Sequence, residues 1–266
     1  MNLPHEHNRR EWDSRVRSAA RFTNPAADEE FRDPLKSVDA AGWLGASIKA
    51  KRVLCLAAGG GRHSVLYAAA GADVTVVDIS PQMLALDREV AAERGLAVRT
   101  VEASMDDLSA LAPASFDMVV QPVSTCYVPN VLAVYAEVAK VLVPGGLYIS
   151  QHKQPTSLQA TTEPGASGHY EIVERYYRRG PLPAEDSRHR EGGTLEYLHR
   201  WEELLGGMCR AGFAIEDVIE PLHAESRAVV GSFGHRSTYV APYVRIKARR
   251  TSRPASNSPP AKVWTP

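Results

Sequence analysis

Short apolar runs and amphipathic stretches alternate through the middle of this chain. Residues 52–57 form one apolar run, followed by Gly59-Gly60-Gly61, and 73–78 form a second that closes on Asp78. Further runs lie at 97–102, 116–121 and 147–151. Between them, apolar positions recur at helical spacing over 62–70, 81–94 and 131–142, the last with Val131, Val134, Val138 and Leu142 on one face. Ser80 as N-cap, Pro81 in the first turn and Gly95 beyond the end frame the helix over 81–94. Such alternation predicts an α/β architecture with a doubly wound, mainly parallel sheet.

Both flanks of this core are less regular. Asn8 and Glu11 have capping-box spacing, and Trp12, Val16, Ala19 and Ala20 make one apolar face, so a helix is expected from Asn8. A second helical patch is expected over 38–48, carrying Trp43 and Leu44. The rhythm fails over 153–198, a long polar segment with one structured piece expected at 170–177. A loop of that length is usually functional or disordered. A helix over 199–211, a strand over 213–219 and a last strand near 239–248 complete a single domain expected over 1–250. Residues 251–266 carry four prolines and three serines among few apolar residues and read as a disordered tail.

Composition narrows the function classes. Lys+Arg and Asp+Glu each total 31, so no net field favours nucleic acid or an acidic membrane. The three cysteines, Cys55, Cys126 and Cys209, are widely spaced and form neither a disulfide framework nor a CxxC site. Nine scattered histidines include no HxxxH or HExxH pair, so no metal is expected. The first residues lack a signal-peptide core, and no window approaches the ~18 apolar residues of a membrane span. The expectation is a cytoplasmic enzyme with no nucleic-acid or membrane partner, monomeric or homodimeric.

The chemistry starts at the glycines. An apolar strand, a glycine turn, a helix, and a second strand ending in an acid is the layout of a nucleotide-binding βαβ unit. Asp78 follows Gly59 by nineteen positions. Taken alone, the cluster also fits an ordinary tight turn, and Asp78 a helix cap competing with Ser80. A nicotinamide-type GxGxxG turn fits poorly, because Ser64 stands at the third glycine position.

The run Val53-Leu54-Cys55-Leu56-Ala57-Ala58-Gly59-Gly60-Gly61 resembles the first motif of Class I S-adenosylmethionine-dependent methyltransferases, typified by VLDLGCGTG. Asp78 falls on that family's ribose-binding acid. Downstream, Ala103-Ser104-Met105-Asp106-Asp107-Leu108, then Ser115-Phe116-Asp117-Met118-Val119-Val120, then Val141-Leu142-Val143-Pro144-Gly145-Gly146 follow its adenine loop, fourth strand and pre-fifth-strand turn. The likeness covers roughly 51–151. It implies a Rossmann-like seven-stranded sheet of order 3-2-1-4-5-7-6 with antiparallel strand seven and helices on both faces. It further implies S-adenosyl-L-methionine as cofactor and S-adenosyl-L-homocysteine as product. The implied cofactor residues are Ala57, Gly59, Gly60 and Gly61 in the turn and Asp78, Ile79 and Met83 after strand two. Ser104, Met105 and Asp106 follow in the adenine loop, and Gln121 ends strand four. Two departures stand out: Cys55 replaces the usual strand-one acid, and Ala57 the first glycine of the turn.

Ligands in open α/β sheets sit beyond the carboxyl ends of the strands. His152, after strand five, is the leading candidate base, because an imidazole titrates near neutrality. The alternative is a histidine that hydrogen-bonds a loop. His223, after strand six, is a second candidate, and Tyr127 is placed to wall a sulfonium by a cation–π contact or simply to pack. Gln121-Pro122-Val123-Ser124 differs from the Asn/Asp-Pro-Pro-Tyr/Phe run of the family's nucleic-acid members, which points to a small-molecule acceptor. By resemblance, 8–48 form an N-terminal helical lid and 153–198 a substrate-covering insertion after strand five. Tyr170, Tyr176 and Tyr177 are candidates to line that pocket or to pack the insertion. Arg178-Arg179 and His189-Arg190 either meet an anionic acceptor or are solvated. The alternatives are an NAD(P)-dependent oxidoreductase and a non-catalytic S-adenosylmethionine-binding protein.

Overall fold

The computed structural model describes residues 3–185 and 187–252. Its centre is one seven-stranded sheet. The strands are β1 Arg52–Leu56, β2 Asp73–Asp78, β3 Val98–Glu102, β4 Phe116–Gln121, β5 Leu142–Lys153, β6 Phe213–Ile219 and β7 Tyr243–Arg250. Their order is β3-β2-β1-β4-β5-β7-β6, and β7 runs antiparallel to both neighbours. The order predicted by resemblance is therefore the order observed. Alternation along β1 explains why both faces are covered. Leu54 and Leu56 join the core cluster on one face, and Val53 and Cys55 the cluster on the other.

The first face is packed by helix α5, Val131–Val141, through Val131, Val134, Tyr135 and Val138. Leu204 and Met208 complete it. The opposite face carries α3, His63–Ala69, and α4, Pro81–Glu93. Their side chains Tyr67, Leu84, Leu66 and Val90 are buried there. Ser80 caps α4 by accepting from the Met83 N–H at 3.1 Å, with Pro81 in the first turn, as the sequence indicates. Between β1 and β4 the strand order reverses direction, which opens a crevice at the strand ends.

Several boundaries differ from expectation. Helix α1 spans Leu3–Arg17 and begins five residues before Asn8. The Asn8 side chain is not a cap: it donates to the carbonyls of Tyr127 and Leu195 and accepts from the Leu195 N–H. The helix expected over 38–48 is instead α2, Pro34–Val38. Asp39 ends it by accepting from the N–H groups of Trp43 and Leu44, and Gly42 and Gly45 adopt φ of 67° and 73°. β5 begins at Leu142, before the Pro-Gly-Gly, with a register shift against β4 rather than a separate turn. The helix over 199–211 is a π-helical turn, Glu202–Gly206, running into α7, Gly207–Arg210.

The segment 153–198 is largely irregular beyond α6, Pro155–Gln159. The structured piece expected at 170–177 reduces to a single bridge between Ile172 and Ala160. Polar anchors do the work that periodicity would otherwise do. Buried Arg236 of α8, Phe233–Arg236, donates to the carbonyls of Ser157, Ala160 and Thr161. In the expected tail, Thr251 donates its N–H to the Gly212 carbonyl, and residues 253–266 lie outside the described residues.

Candidate active site

Directly after β1 comes Ala57, whose φ is 47°. Its N–H still bonds the Val77 carbonyl at 2.7 Å, so the chain turns sharply while fixed to β2. Beyond Ala58, the N–H groups of the three glycines meet carboxylates. Gly59 donates to Asp78 Oδ2 at 2.9 Å. Gly60 and Gly61 donate to the two oxygens of Asp87 at 3.0 and 3.2 Å. The Ser64 hydroxyl also donates to Asp87. Gly59 must be glycine for close packing, since a Cβ there would lie 2.8 Å from Met83 Cβ and 3.0 Å from Asp78 Oδ2.

Successive N–H groups of this kind form an anion nest that often holds phosphate. Here two side-chain carboxylates of the chain itself fill it, leaving those donors no capacity for a pyrophosphate. Burial raises Asp87 to about 7, against the hydrogen bonds from Ser64 and Gly60 that lower it. Burial likewise raises Asp78 to about 6, while N–H groups of Ser80, Gly59 and Ile79 oppose the shift. The strand-one position Cys55 is fully buried and lies within electrostatic reach of Asp87.

A cavity of about 570 Å³ opens over this turn. Ala57, Gly59 and Gly60 form its floor, with Asp78, Ile79 and Met83 beside them. Ser104, Met105, Gln121 and Tyr127 also line it. Gln121 accepts from the Tyr148 hydroxyl at 2.5 Å and donates to Ser124 Oγ at 2.9 Å, which fixes its amide. Four candidates stand apart from the wall. Gly61 faces Asp87 and α4. Asp106 accepts from Ser104 Oγ at 2.5 Å and bonds His5 Nε2 at 2.9 Å, acting behind the wall. His223 packs edge-on against the rings of Phe233 and Tyr243.

His152 is the fourth and the largest departure. It is 1% exposed, with Nδ1 at 2.8 Å from Thr125 Oγ1 and Nε2 at 2.8 Å from Ser150 Oγ. Burial, with His199 nearby, lowers it to about 3. Side chains alternate along β5, so Ser150 and His152 turn inward while Gln151 turns to the opposite face. Both ring nitrogens are spent on hydroxyls, and His152 itself does not line the cavity, which it meets only through Ser150. The loop-bonding alternative matches this arrangement.

Residues that sequence reasoning missed occupy the far end. Lys153 Nζ reaches Glu191 Oε2 at 2.6 Å and Glu196 Oε1 at 2.8 Å. The Tyr127 hydroxyl donates to the same Glu191 Oε2 at 2.8 Å. Burial acts to raise Glu191, but the Lys153 ammonium and the hydrogen bonds the carboxylate receives together hold it below its ordinary value. Tyr127, Lys153 and Glu191 all line the cavity. Asn8 and Trp12 of α1 close it above, Trp12 meeting Tyr127 edge-on at 5.5 Å.

A family model described as "Methyltransferase domain" matches residues 54–150. The uncharacterized methyltransferase YbaJ of Bacillus subtilis is 34% identical over 235 residues, covering 83% of this chain and 91% of that protein. This chain is a Class I S-adenosylmethionine-dependent methyltransferase. A ubiquinone biosynthesis O-methyltransferase of Xanthomonas euvesicatoria pv. vesicatoria is 30% identical over 168 residues, 63% of this chain and 64% of that one. Among solved structures, an S-adenosylmethionine-dependent methyltransferase from Mesorhizobium loti superposes with a TM-score of 0.62 at 25% identity. That match covers 77% of this chain and 93% of the other. The cofactor of the methyltransferase is thus S-adenosylmethionine, and the filled nest agrees, since that cofactor carries no phosphate. Among its described residues, no helix is long and apolar enough to cross a membrane.

Proposed function

We propose that this methyltransferase methylates a small-molecule acceptor enclosed between the glycine turn and the Tyr127–Glu191–Lys153 group. The carrying observation is that this polar group and Asp78 line one cavity of about 570 Å³. That volume falls in the range of small-ligand sites. The likeness to the Xanthomonas ubiquinone biosynthesis O-methyltransferase supports a small acceptor.

Asp78 holds the ribose hydroxyls in this reading. Ala57, Gly59 and Gly60 give the amino-acid end of the cofactor a close backbone approach, and Ile79, Met83, Ser104 and Met105 enclose the adenine. Gln121, locked by Tyr148 and Ser124, presents a fixed polar edge. Asp106 steadies Ser104 and α1 from behind. S-adenosylmethionine supplies an activated methyl group on a sulfonium, so the chain's main task is alignment. Tyr127 contacts the acceptor, and its hydroxyl takes the acceptor's proton as its own passes to Glu191. Lys153 keeps Glu191 ionised for that step. Residues 8–48 act as the lid, and 153–198 select the acceptor.

Tyr127→Phe keeps the ring against Trp12 and removes only the hydroxyl. It is expected to lower kcat by about 10²-fold or more, with little change in the KM for S-adenosylmethionine. An unchanged kcat would sink the proton route. Cofactor binding without turnover on a broad panel of small acceptors would sink the catalytic reading.

A further inference from the structure

The cavity has a second polar corner that the proton route does not use. Arg245 of β7 pairs across the sheet with Gln151 of β5 and lines the cavity beside it. Its Nε and Nη2 both donate to Gln151 Oε1, at 3.0 and 2.8 Å. No carboxylate partners Arg245 among the described residues. The other cations on the wall are committed: Arg62 to Glu30, and Lys153 to Glu191 and Glu196. Asp39 shares this corner, its two oxygens each accepting one hydrogen bond, from the Trp43 and Leu44 N–H groups, and neither bonding Arg245.

Four polar groups here have hydrogen-bonding capacity left over. Arg245 Nη1, Gln151 Nε2, the Tyr67 hydroxyl and the His63 ring have no hydrogen-bond partner among the described residues. None is among the buried orphaned atoms, so each reaches open space, and all four residues line the cavity. Arg245 lies close enough to His63 and Tyr67 to bias their titration. Burial and the neighbouring guanidinium groups of Arg62 and Arg245 keep His63 neutral near pH 7, down at about 4. The corner therefore holds a guanidinium with no carboxylate hydrogen-bonded to it, beside donors from Gln151, Tyr67 and His63, with the Asp39 carboxylate on the same wall. Trp43 and Tyr243 wall it, with the Trp43 indole N–H tied to Asp217 at 3.0 Å.

We propose that the acceptor is a carboxylate-bearing small molecule whose carboxylate is held by Arg245 and the Gln151 side-chain amide, with the Tyr67 hydroxyl as a further donor. This rests on the methyltransferase reading of the cavity given above. A guanidinium edge presents planar donors that match a carboxylate. A single negative charge suits the one guanidinium without a carboxylate partner, whereas a phosphate dianion would meet the Asp39 carboxylate on the same wall with no second free cation among the described residues there, Arg62 being paired with Glu30. Without an acceptor, Arg245 keeps its hydration through the open cavity, so no buried unpaired charge arises.

The test uses the full chain saturated with S-adenosylhomocysteine. Benzoate, phenylacetate and indole-3-acetate are each titrated against their primary amides, with inorganic phosphate alongside, by calorimetry and melting temperature. At least one acid is expected to bind about tenfold more tightly than its amide, the scale of a charge-assisted hydrogen bond. Arg245→Met should abolish that difference and keep the melting shift given by S-adenosylhomocysteine, which also reports folding. Gln151→Leu should reduce the difference by a smaller factor, a second route to the same corner. The inference is overturned if every acid binds like its amide, if the preference survives Arg245→Met, or if phosphate binds as tightly as the best acid. A wild-type chain with no response to S-adenosylhomocysteine would instead overturn the methyltransferase reading, and this inference with it.

Discussion

Ala57 carries a methyl group at a φ of 47°, a conformation that costs an L-residue roughly 1–2 kcal/mol. Ala57→Gly is expected to raise unfolding stability by about 1 kcal/mol or less, since glycine's unfolded-state entropy offsets part of the relief. A shift of the denaturant midpoint at constant m-value checks it. Asp87 is the more consequential neighbour. Its folded pKa, about 7, stands above the ordinary 3.8, so its contribution is full below about pH 4 and is lost as pH rises to about 7. The cofactor-free protein should therefore lose stability across that window relative to its value in acid. Asp87→Asn should flatten that part of the profile, and an unchanged slope would assign it to another group. Gly59 and Asp78 were legible because the strand, turn and acid lie within one local unit. Asp87 was not, because Asp87-Arg88-Glu89 reads like the charged outer face of a helix, and only the fold turns that carboxylate under the glycines. His152 misled for a related reason: position after a strand marks proximity to the site, but not which face a side chain takes.

At the scale of elements, β5 and the irregular segment after it are joined by ion pairs in place of an apolar seam. Lys153 reaches 38 and 43 residues along the chain to Glu191 and Glu196, and Arg190 pairs with Glu196 at 3.1 Å. Lys153→Met would leave two buried carboxylates side by side with their ammonium removed. The expected loss is about 3–5 kcal/mol, read as a lower denaturation midpoint and as faster proteolysis within 153–198. No periodic signal marks such a segment, so the sequence revealed its extent but none of its contacts. The same limit explains α2: capping by Asp39 and two left-handed glycines ended a helix that the apolar spacing of Trp43 and Leu44 appeared to continue. Where periodicity and cap residues agree, as for α4 with Ser80 and Pro81, the boundaries were read within a residue.

For the whole molecule, alternation of apolar runs with amphipathic stretches was enough to give the α/β class, and the ordered motifs gave strand order and cofactor. Linkage gives a direct check: S-adenosylhomocysteine at about 100 times its Kd should stabilise the chain by about 2.7 kcal/mol. NAD(P), whose pyrophosphate finds the nest already filled, should leave the melting temperature unchanged. The long N-terminal helix adds a kinetic consequence. On one side of α1, Asp13 accepts from Ser80 Oγ at 2.7 Å and His5 bonds Asp106 at 2.9 Å. On the other, Asn8 exchanges two hydrogen bonds with Leu195, and His7 meets the Gly193 carbonyl at 2.7 Å. One rod is thus fastened both to the loops beside the glycine turn and to the segment around Gly193 and Leu195. In the proposed reading neither half would open without loosening the other, and the two substrates would share a single doorway. Steady-state kinetics should accordingly be ordered, with S-adenosylhomocysteine competitive against the methyl donor and noncompetitive against the acceptor, and with departure of the spent donor setting the pace of turnover.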